Sequence, residues 1–358
     1  MRIPGVTFAL TIALTATAAG AQGIVVGTAA PAAGHTAYGV LAVPAGVDSG
    51  YDIPVAVIRG AQPGRVVAFV AGSHGTEYAS VIALQRLIAR IDPATLHGTV
   101  IVAPLVNVAS FERMTPHLDP VDGKSMNGNY PGNAGGTQTE RALDAITRAI
   151  VDPADVIVDL HGGDLDEDLR PYSYWFRGGR PAQDSAGLTL ARAFGLDHII
   201  VEDVDLAAPA TGRTLSGQSM VRGKQVVVAE AGRTGTTTDA DVNALIDGSL
   251  NVLGSLGMIA RSVHPSTHMV WLDGTHSARV TADSAGVFIP LVARDARVTA
   301  GQLIGYTTDF LGRRTGDVHA PIAGLVTFIR GVPSMWPRAT LVNVSPVMQT
   351  PGEWARPQ

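Results

Sequence analysis

Three short stretches carry side chains of a type and spacing suited to metal chemistry. Gly72-Ser73-His74-Gly75-Thr76-Glu77 places a histidine and a glutamate three residues apart at the end of an apolar run. At that spacing an imidazole nitrogen and a carboxylate oxygen can converge on one ion. Asp159-Leu160-His161-Gly162-Gly163 ends another apolar run with a second histidine. Two histidines and one glutamate leave one position of a tetrahedral zinc open for water, which is the donor pattern of a catalytic site. Glu230, in Val228-Ala229-Glu230-Ala231-Gly232, ends a further run and suits a general base facing that water. Singly, each residue also has a plain structural reading: a helix-start carboxylate beside a surface histidine, a satisfied core histidine, a glutamate at the end of a ladder. Jointly, all four at strand ends, they predict a metal site holding one Zn2+ per chain with a base beside it.

Such a site needs strands that end together. Arg65–Gly72, Gly98–Val106, Asp155–Leu160 and Gln225–Ala229 are continuous apolar runs of buried-strand type, with a shorter one at His198–Val201. Helical spacing spans 77–91 and stops before Pro93, and helices are expected over 139–150, 185–194 and about 238–255. Fully apolar strands separated by helices predict an α/β fold, its mixed, mostly parallel sheet flanked by helices. Active sites of such sheets collect at the carboxyl ends of strands. Residues 22–64 read only as a Gly- and Pro-spaced region. Past about residue 266 the texture changes to short β-type runs rich in Gly and Pro, without a convincing helix. The expected organisation is therefore a catalytic domain over 22–265 and a small β domain over 266–358.

The chain's 358 residues are 46% hydrophobic and 16% charged, which supplies ample core and excludes a charge-rich disordered chain. A net charge of −5 and 5% aromatic residues give no footprint for nucleic acid. Cysteine is absent, so disulfides, thiolate metal sites and cysteine nucleophiles are excluded. Residues 1–21 combine Arg2, an apolar run from Val6 to about Ala18, and Ala19-Gly20-Ala21. They read as a signal peptide cleaved before Gln22, hence an exported, periplasmic or secreted protein. No later stretch is apolar for long enough to span a membrane. Oligomeric state is left open.

With these residues in place, the chain resembles the succinylglutamate desuccinylase/aspartoacylase family, relatives of the zinc carboxypeptidases, from about residue 50 to 335. The landmarks are GSHGTE (72–77), Asn107, DGKSMNGNYPG (122–132), DLHGGD (159–164) and VVVAEAG (226–232). The resemblance implies a zinc carboxypeptidase-like fold, zinc on His74, Glu77 and His161, and Glu230 as the carboxylate that activates water and returns the proton to the leaving amine. It also implies that the C-terminal segment is akin to a biotinyl/lipoyl barrel; with no lysine in residues 225–358, that domain carries no lipoyl or biotinyl group.

One departure concerns substrate recognition. The family typically has Asn-Arg where this chain has Asn127-Gly128, and the arginine helps to hold a substrate carboxylate. Asn127 matches as a substrate-binding residue. Arg177 and Arg233 are the candidates to replace the missing guanidinium, each equally readable as a solvated surface arginine. Pro116 and His117 stand near the place of an upstream family arginine, and His117 is read among the histidines without ligand-like spacing. In the acidic stretch Asp164–Asp168, Asp164 is expected to orient His161 and most of the other acids to face solvent, although four acids near a metal also suit a cationic substrate group. The reading is an exported zinc amidohydrolase that deacylates a small N-acylated amino acid. The alternatives are a zinc carboxypeptidase or peptidoglycan-type amidase, and a non-catalytic binding protein on this scaffold.

Overall fold

A computed structural model describes residues 23–208 and 210–350; the expected signal peptide, residues 1–21, lies outside them. β1 (His35–Val43) and β2 (Tyr51–Arg59) form an edge hairpin, followed by β3 (Gln62–Ala71), β4 (His97–Ala103) and β5 (Val156–His161). After β6 (Glu167–Leu169) come β7 (Tyr172–Arg177), β8 (His198–Asp203) and β9 (Gln225–Glu230). Together with β10 (Val270–Asp273) and, after eight strands of a second unit, β19 (Val347–Met348), they make a ten-stranded sheet in the order β1-β2-β4-β3-β5-β9-β7-β8-β10-β19. The four continuous apolar runs become the adjacent strands β4, β3, β5 and β9, all mutually parallel, because strands buried on both faces need apolar side chains at every position.

Alternation along these strands divides the core in two. Val67, Phe69, Val158, Leu160 and Val227 pack beneath α1 (Tyr78–Ile88) and, further along the chain, the helices over Pro181–Phe194 and Asp239–Ser255. Ala68, Val70, Ile157, Val226 and Val228 face the opposite cluster, which includes Leu143 and Ile146 of the helix over Gln138–Ile146 and Leu215 and Met220 of the helix over Leu215–Val221. Numbering these in order, with the short Val108–Arg113 helix as α2, gives α3 (Gln138–Ile146), α4 (Pro181–Phe194), α5 (Leu215–Val221) and α6 (Asp239–Ser255). Since successive strand residues point to opposite faces, His161 and Glu230 both fall on the α3/α5 side.

The second unit comprises β11 (Ala278–Thr281), β12 (Gly286–Pro290), β13 (Arg297–Val298), β14 (Leu303–Thr308), β15 (Arg314–His319), β16 (Gly324–Arg330), β17 (Ser334–Met335) and β18 (Thr340–Ser345). Two small sheets, β11-β18-β16-β13 and β15-β14-β12-β17, share a core that includes Phe288, Ile304, Val326, Ile329 and Leu341. The two units are stitched together. β10 and β19, both beyond residue 266, extend the large sheet, while β6 pairs with β16 in the register Arg330↔Glu167 to Phe328↔Leu169.

The structure adds elements that the sequence pattern hides. β1 and β2 occupy the Gly- and Pro-spaced region; β1 is an edge strand with only two buried residues, so no apolar run marks it. β7, of sequence YSYWFR, pairs antiparallel to β9 and parallel to β8. The helix expected over 139–150 is α3, begun by a Thr137/Glu140 capping box and continued as a π-turn over Thr147–Val151.

Arg330 holds the joint between the units. Its side chain is 1% exposed, with Nη1 2.9 Å from Asp166 Oδ2, Nε donating to the Ser334 carbonyl at 2.6 Å, and the guanidinium over the Trp336 ring. Arg330→Met leaves the buried Asp166 carboxylate with His117 as its remaining ionic partner and is expected to destabilise the protein by about 1–3 kcal/mol. Denaturant unfolding measures this, and a loss below about 1 kcal/mol, as for a surface pair, contradicts it.

Candidate metal centre

His74 and Glu77 lie in the turn from β3 into α1. That turn is fastened from below by α2: Asn107 donates to the Ser73 carbonyl at 3.3 Å, Ser110 Oγ accepts from Gly75 N at 2.9 Å, and Asn107 N donates to Gly72 O at 2.9 Å. Gly75 is required by this packing, since a Cβ there would sit 2.4 Å from the Phe111 nitrogen. Glu77 holds the N-cap position of α1 yet makes no capping bond with its side chain. Its carboxylate turns to the histidines instead. Oε1 lies 2.6 Å from His74 Nδ1, Oε2 lies 2.9 Å from His161 Nδ1, and Gly162 N donates to Oε2 at 3.1 Å.

One ligand atom from each of His74, Glu77 and His161 falls within 4.8 Å of the other two. That spread suits a single ion bound at about 2.0–2.2 Å by nitrogen and carboxylate oxygen. Burial opposes ionisation of Glu77, but the imidazoles of His161 and His74 outweigh it and hold the carboxyl down at about 2. Burial likewise opposes charging of His161, and Glu77 and Asp159 reverse that and raise it well above the usual histidine range. Asp159 Oδ1 stands 3.4 Å from His161 Nε2, the place of a carboxylate that fixes a ligating imidazole. The three donors therefore fit a metal ion.

Glu230 pairs with His161 across β5 and β9, and Tyr172 donates to its Oε2 at 3.1 Å. Burial pushes the Glu230 carboxyl up to about 7; nearby His161 opposes the rise, and Glu77 and Asp159 add to it. His74, Glu77, Asp159, His161 and Glu230 open on one cavity of about 390 Å3, which Asn127 also lines.

Three expectations need correction. Arg177 and Arg233 do not line this cavity. Arg177 points from the far end of β7 and forms a two-pronged pair with Asp203 at 2.7 and 2.8 Å, while exposed Arg233 bridges through its backbone to Asp168. Asp164 does not reach for His161. Fully buried, it accepts from the Thr76 hydroxyl and from His117 N, and so clamps the metal turn to the 115–119 loop. Nor does the rest of the acidic stretch face solvent: Asp166 pairs with His117 and Arg330, Asp168 with Arg294, and Glu167 enters the cavity with its carboxyl pushed up to about 8, chiefly by burial and then by Glu77.

His117 is the site neighbour the sequence pattern misses. Its ring lies edge-on to His74 with centroids 5.8 Å apart, and its nitrogens face Asp164 at 3.3 Å and Asp166 at 2.9 Å. Burial disfavours its charge, but these acids and Glu167 outweigh that and raise it to about 9.

A two-histidine, one-carboxylate cluster at the strand ends of a mixed α/β sheet is the arrangement of a metal-dependent hydrolase. The comparisons with known proteins make the class specific. Residues 63–256 match the family model described as the succinylglutamate desuccinylase/aspartoacylase catalytic domain. An N-alpha-acetyl-L-2,4-diaminobutyric acid deacetylase from Halomonas elongata is 30% identical over 259 residues, 72% of this chain and 74% of that protein. Among solved structures, a succinylglutamate desuccinylase/aspartoacylase from Rhodobacter sphaeroides superimposes with a TM-score of 0.78 at 24% identity, over 88% of this chain and 96% of that one. The product-bound ectoine utilization protein EutE (DoeB) from Ruegeria pomeroyi gives 0.78 at 22% identity, over 89% and 98%. The chain belongs to the succinylglutamate desuccinylase/aspartoacylase family, whose members are hydrolytic deacylases acting on amide bonds.

His161→Ala removes one donor but leaves the β5–β9 pairing intact. Losing a residue behind a ligand already costs 10–100-fold, so metal affinity is expected to fall about 100-fold or more. Elemental analysis alongside circular dichroism checks this; full metal content in a folded variant refutes the donor assignment.

Proposed function

We propose that the protein is a zinc-dependent deacylase that hydrolyses the amide bond of a small N-acylated amino acid. The observation that carries this reading is the three-donor cluster with Glu230 one strand away, facing a single cavity within the catalytic domain of a deacylase family. A cavity of about 390 Å3 suits a small molecule better than a folded polypeptide. The Halomonas elongata relative is named for deacetylating an acetylated diamino acid, which supports the same class here.

His74, Glu77 and His161 would hold one zinc ion, which supplies Lewis-acid polarisation of the scissile carbonyl and a more acidic water. The chain itself moves the proton. Glu230, balanced near pH 7, takes a proton from the attacking water and delivers it to the departing nitrogen as the C–N bond breaks, leaving an amine and a carboxylic acid that ionises by releasing the second water proton. The Tyr172 hydroxyl fixes Oε2, which directs the other oxygen of Glu230 at the reacting atoms. Asn127, on the cavity wall, offers its amide to the substrate.

Glu230→Gln preserves shape but cannot shuttle a proton. It is expected to retain zinc while kcat on an N-acetyl amino acid drops roughly 10²–10⁴-fold. Unchanged kcat would remove Glu230 from the reaction. Export is a separate part of the proposal and rests on residues 1–21; N-terminal sequencing of protein recovered outside the cytoplasm should begin at Gln22, and protein retained inside with Met1 intact contradicts it.

A further inference from the structure

The cavity extends well past the metal donors. From Glu230 it follows the sheet face under α5 and the 204–217 segment, with walls from Tyr174, Phe176, Val204, Met220 and Val228, and at its far end lies Glu202 of β8. The strand registers give the length. Glu230 is opposite Tyr172 on β7, and Glu202 is opposite Phe176 on the same strand, four residues further along. At the usual rise this is about 13 Å along β7, with Tyr174 between the two carboxylates.

Glu202 differs from the other acids that line the cavity. Glu77, Asp159, Glu167 and Glu230 each have a histidine, a tyrosine hydroxyl or a backbone amide within reach. Among the described residues, Glu202 has no hydrogen-bond or ion-pair partner, and no lysine or arginine lines the cavity. Glu202 is half-buried beside Tyr174, Phe176 and Val204, with the hydroxyl-bearing Thr211, Thr214 and Ser216 also on the wall, and a carboxylate so placed without an ionic partner gains from a counter-ion that arrives with the ligand. Burial indeed pushes its carboxyl above the usual range, with no neighbouring cation to pull it back. Aromatic and aliphatic side chains between the donor cluster and a partnerless carboxylate match a methylene chain that ends in a cation.

We propose that Glu202 binds a protonated nitrogen on the side chain of the substrate's amino acid, so that the preferred substrates are Nα-acylated amino acids with a cationic side chain of lysine or arginine length. This rests on the deacylase reading above and adds a specificity residue to it. The short arm of a diaminobutyrate, held with its amide at the metal, falls short of the far end.

The experiment compares kcat/KM of the zinc-loaded protein for Nα-acetyl-L-lysine, the neutral Nα-acetyl-L-norleucine and the shorter cation Nα-acetyl-L-2,4-diaminobutyrate. Lysine is expected to exceed both others by about 10–100-fold, the worth of one hydrogen bond between charged groups. Glu202→Gln should bring the lysine-to-norleucine ratio to about one, and Glu202→Lys should invert it. Equal use of lysine and norleucine by the wild type, or a ratio that survives Glu202→Gln, overturns the proposal while leaving the deacylase reading standing. Calorimetric binding of the same three compounds to the Glu230→Gln protein separates the two ideas. Selective binding of the lysine compound without turnover in the wild type upholds Glu202 and defeats the deacylase reading.

Discussion

The structure turns on keeping one carboxylate ionised where water is scarce. Glu77 is 2% exposed, in a place that would by itself favour its neutral form. Two imidazoles, one on each oxygen, and the Gly162 amide reverse that preference. They approach from two parts of the chain: His74 from the same turn, His161 and the adjacent Gly162 amide from the end of β5. This explains why so much of the local architecture fastens the β3–α1 turn, from the Asn107 and Ser110 bonds to the bare Gly75. A shift of an ångström in any of these would remove one of the partners that keep the buried carboxylate ionised. The same convergence gathers three donors around a point where a dication can replace the mutual contacts.

The central strands and the four residues at their ends were legible because their signal is local. An apolar run declares a strand buried on both faces, and the polar residue that ends it has few other reasons to be there. His74, Glu77, His161 and Glu230 meet for that reason. What the sequence did not show depends on partners distant along the chain. The acids of 164–168 look like a solvated loop until Arg330, Arg294 and His117 arrive to bury them. His117 lies in an aperiodic loop, and only Asp164 and Asp166 bring it against His74. β7 carries aromatic side chains at Tyr172, Tyr174 and Phe176 that line one face, a period-2 signal that was available in YSYWFR and would have placed Arg177 on the other face, away from the site. Edge strands such as β1 have half their surface in solvent and carry the weakest signal.

The small β unit is part of the site's support as well as an appendage. Asp166 sits between His117 and Arg330, so a residue of β16 reaches through it to the loop beside the metal donors. The strand that carries this contact inward, β6, belongs to the loop that leaves His161 and pairs with β16 directly. Movement of the β unit relative to the large sheet would therefore disturb the neighbours of His74 and His161 and would also part Leu325 from Leu169, Tyr172, Ile200 and Leu272. Its ties through β10 and β19, which complete the large sheet, resist that movement.

Backbone conformation accounts for the glycine at position 128 in a way that volume does not. A side chain there would meet nothing within 4 Å, so space is not the obstacle; the backbone is, with φ of +101° costing an L residue about 1–3 kcal/mol. That conformation lets Gly128 N donate to the Arg213 carbonyl at 2.7 Å while Arg213 Nε returns a bond to the Gly128 carbonyl. A guanidinium is thus kept at the rim by main-chain contacts, on an exposed residue outside the cavity lining. Inside, five carboxylates (Glu77, Asp159, Glu167, Glu202 and Glu230) face a space with no lysine or arginine among the described residues. Burial first, and the neighbouring acids after it, push the carboxyls of Glu167 and Glu230 toward the protonated form. A divalent cation at the donor cluster relieves the acids nearest to it. Glu202, further along the groove, has no cation beside it among the described residues.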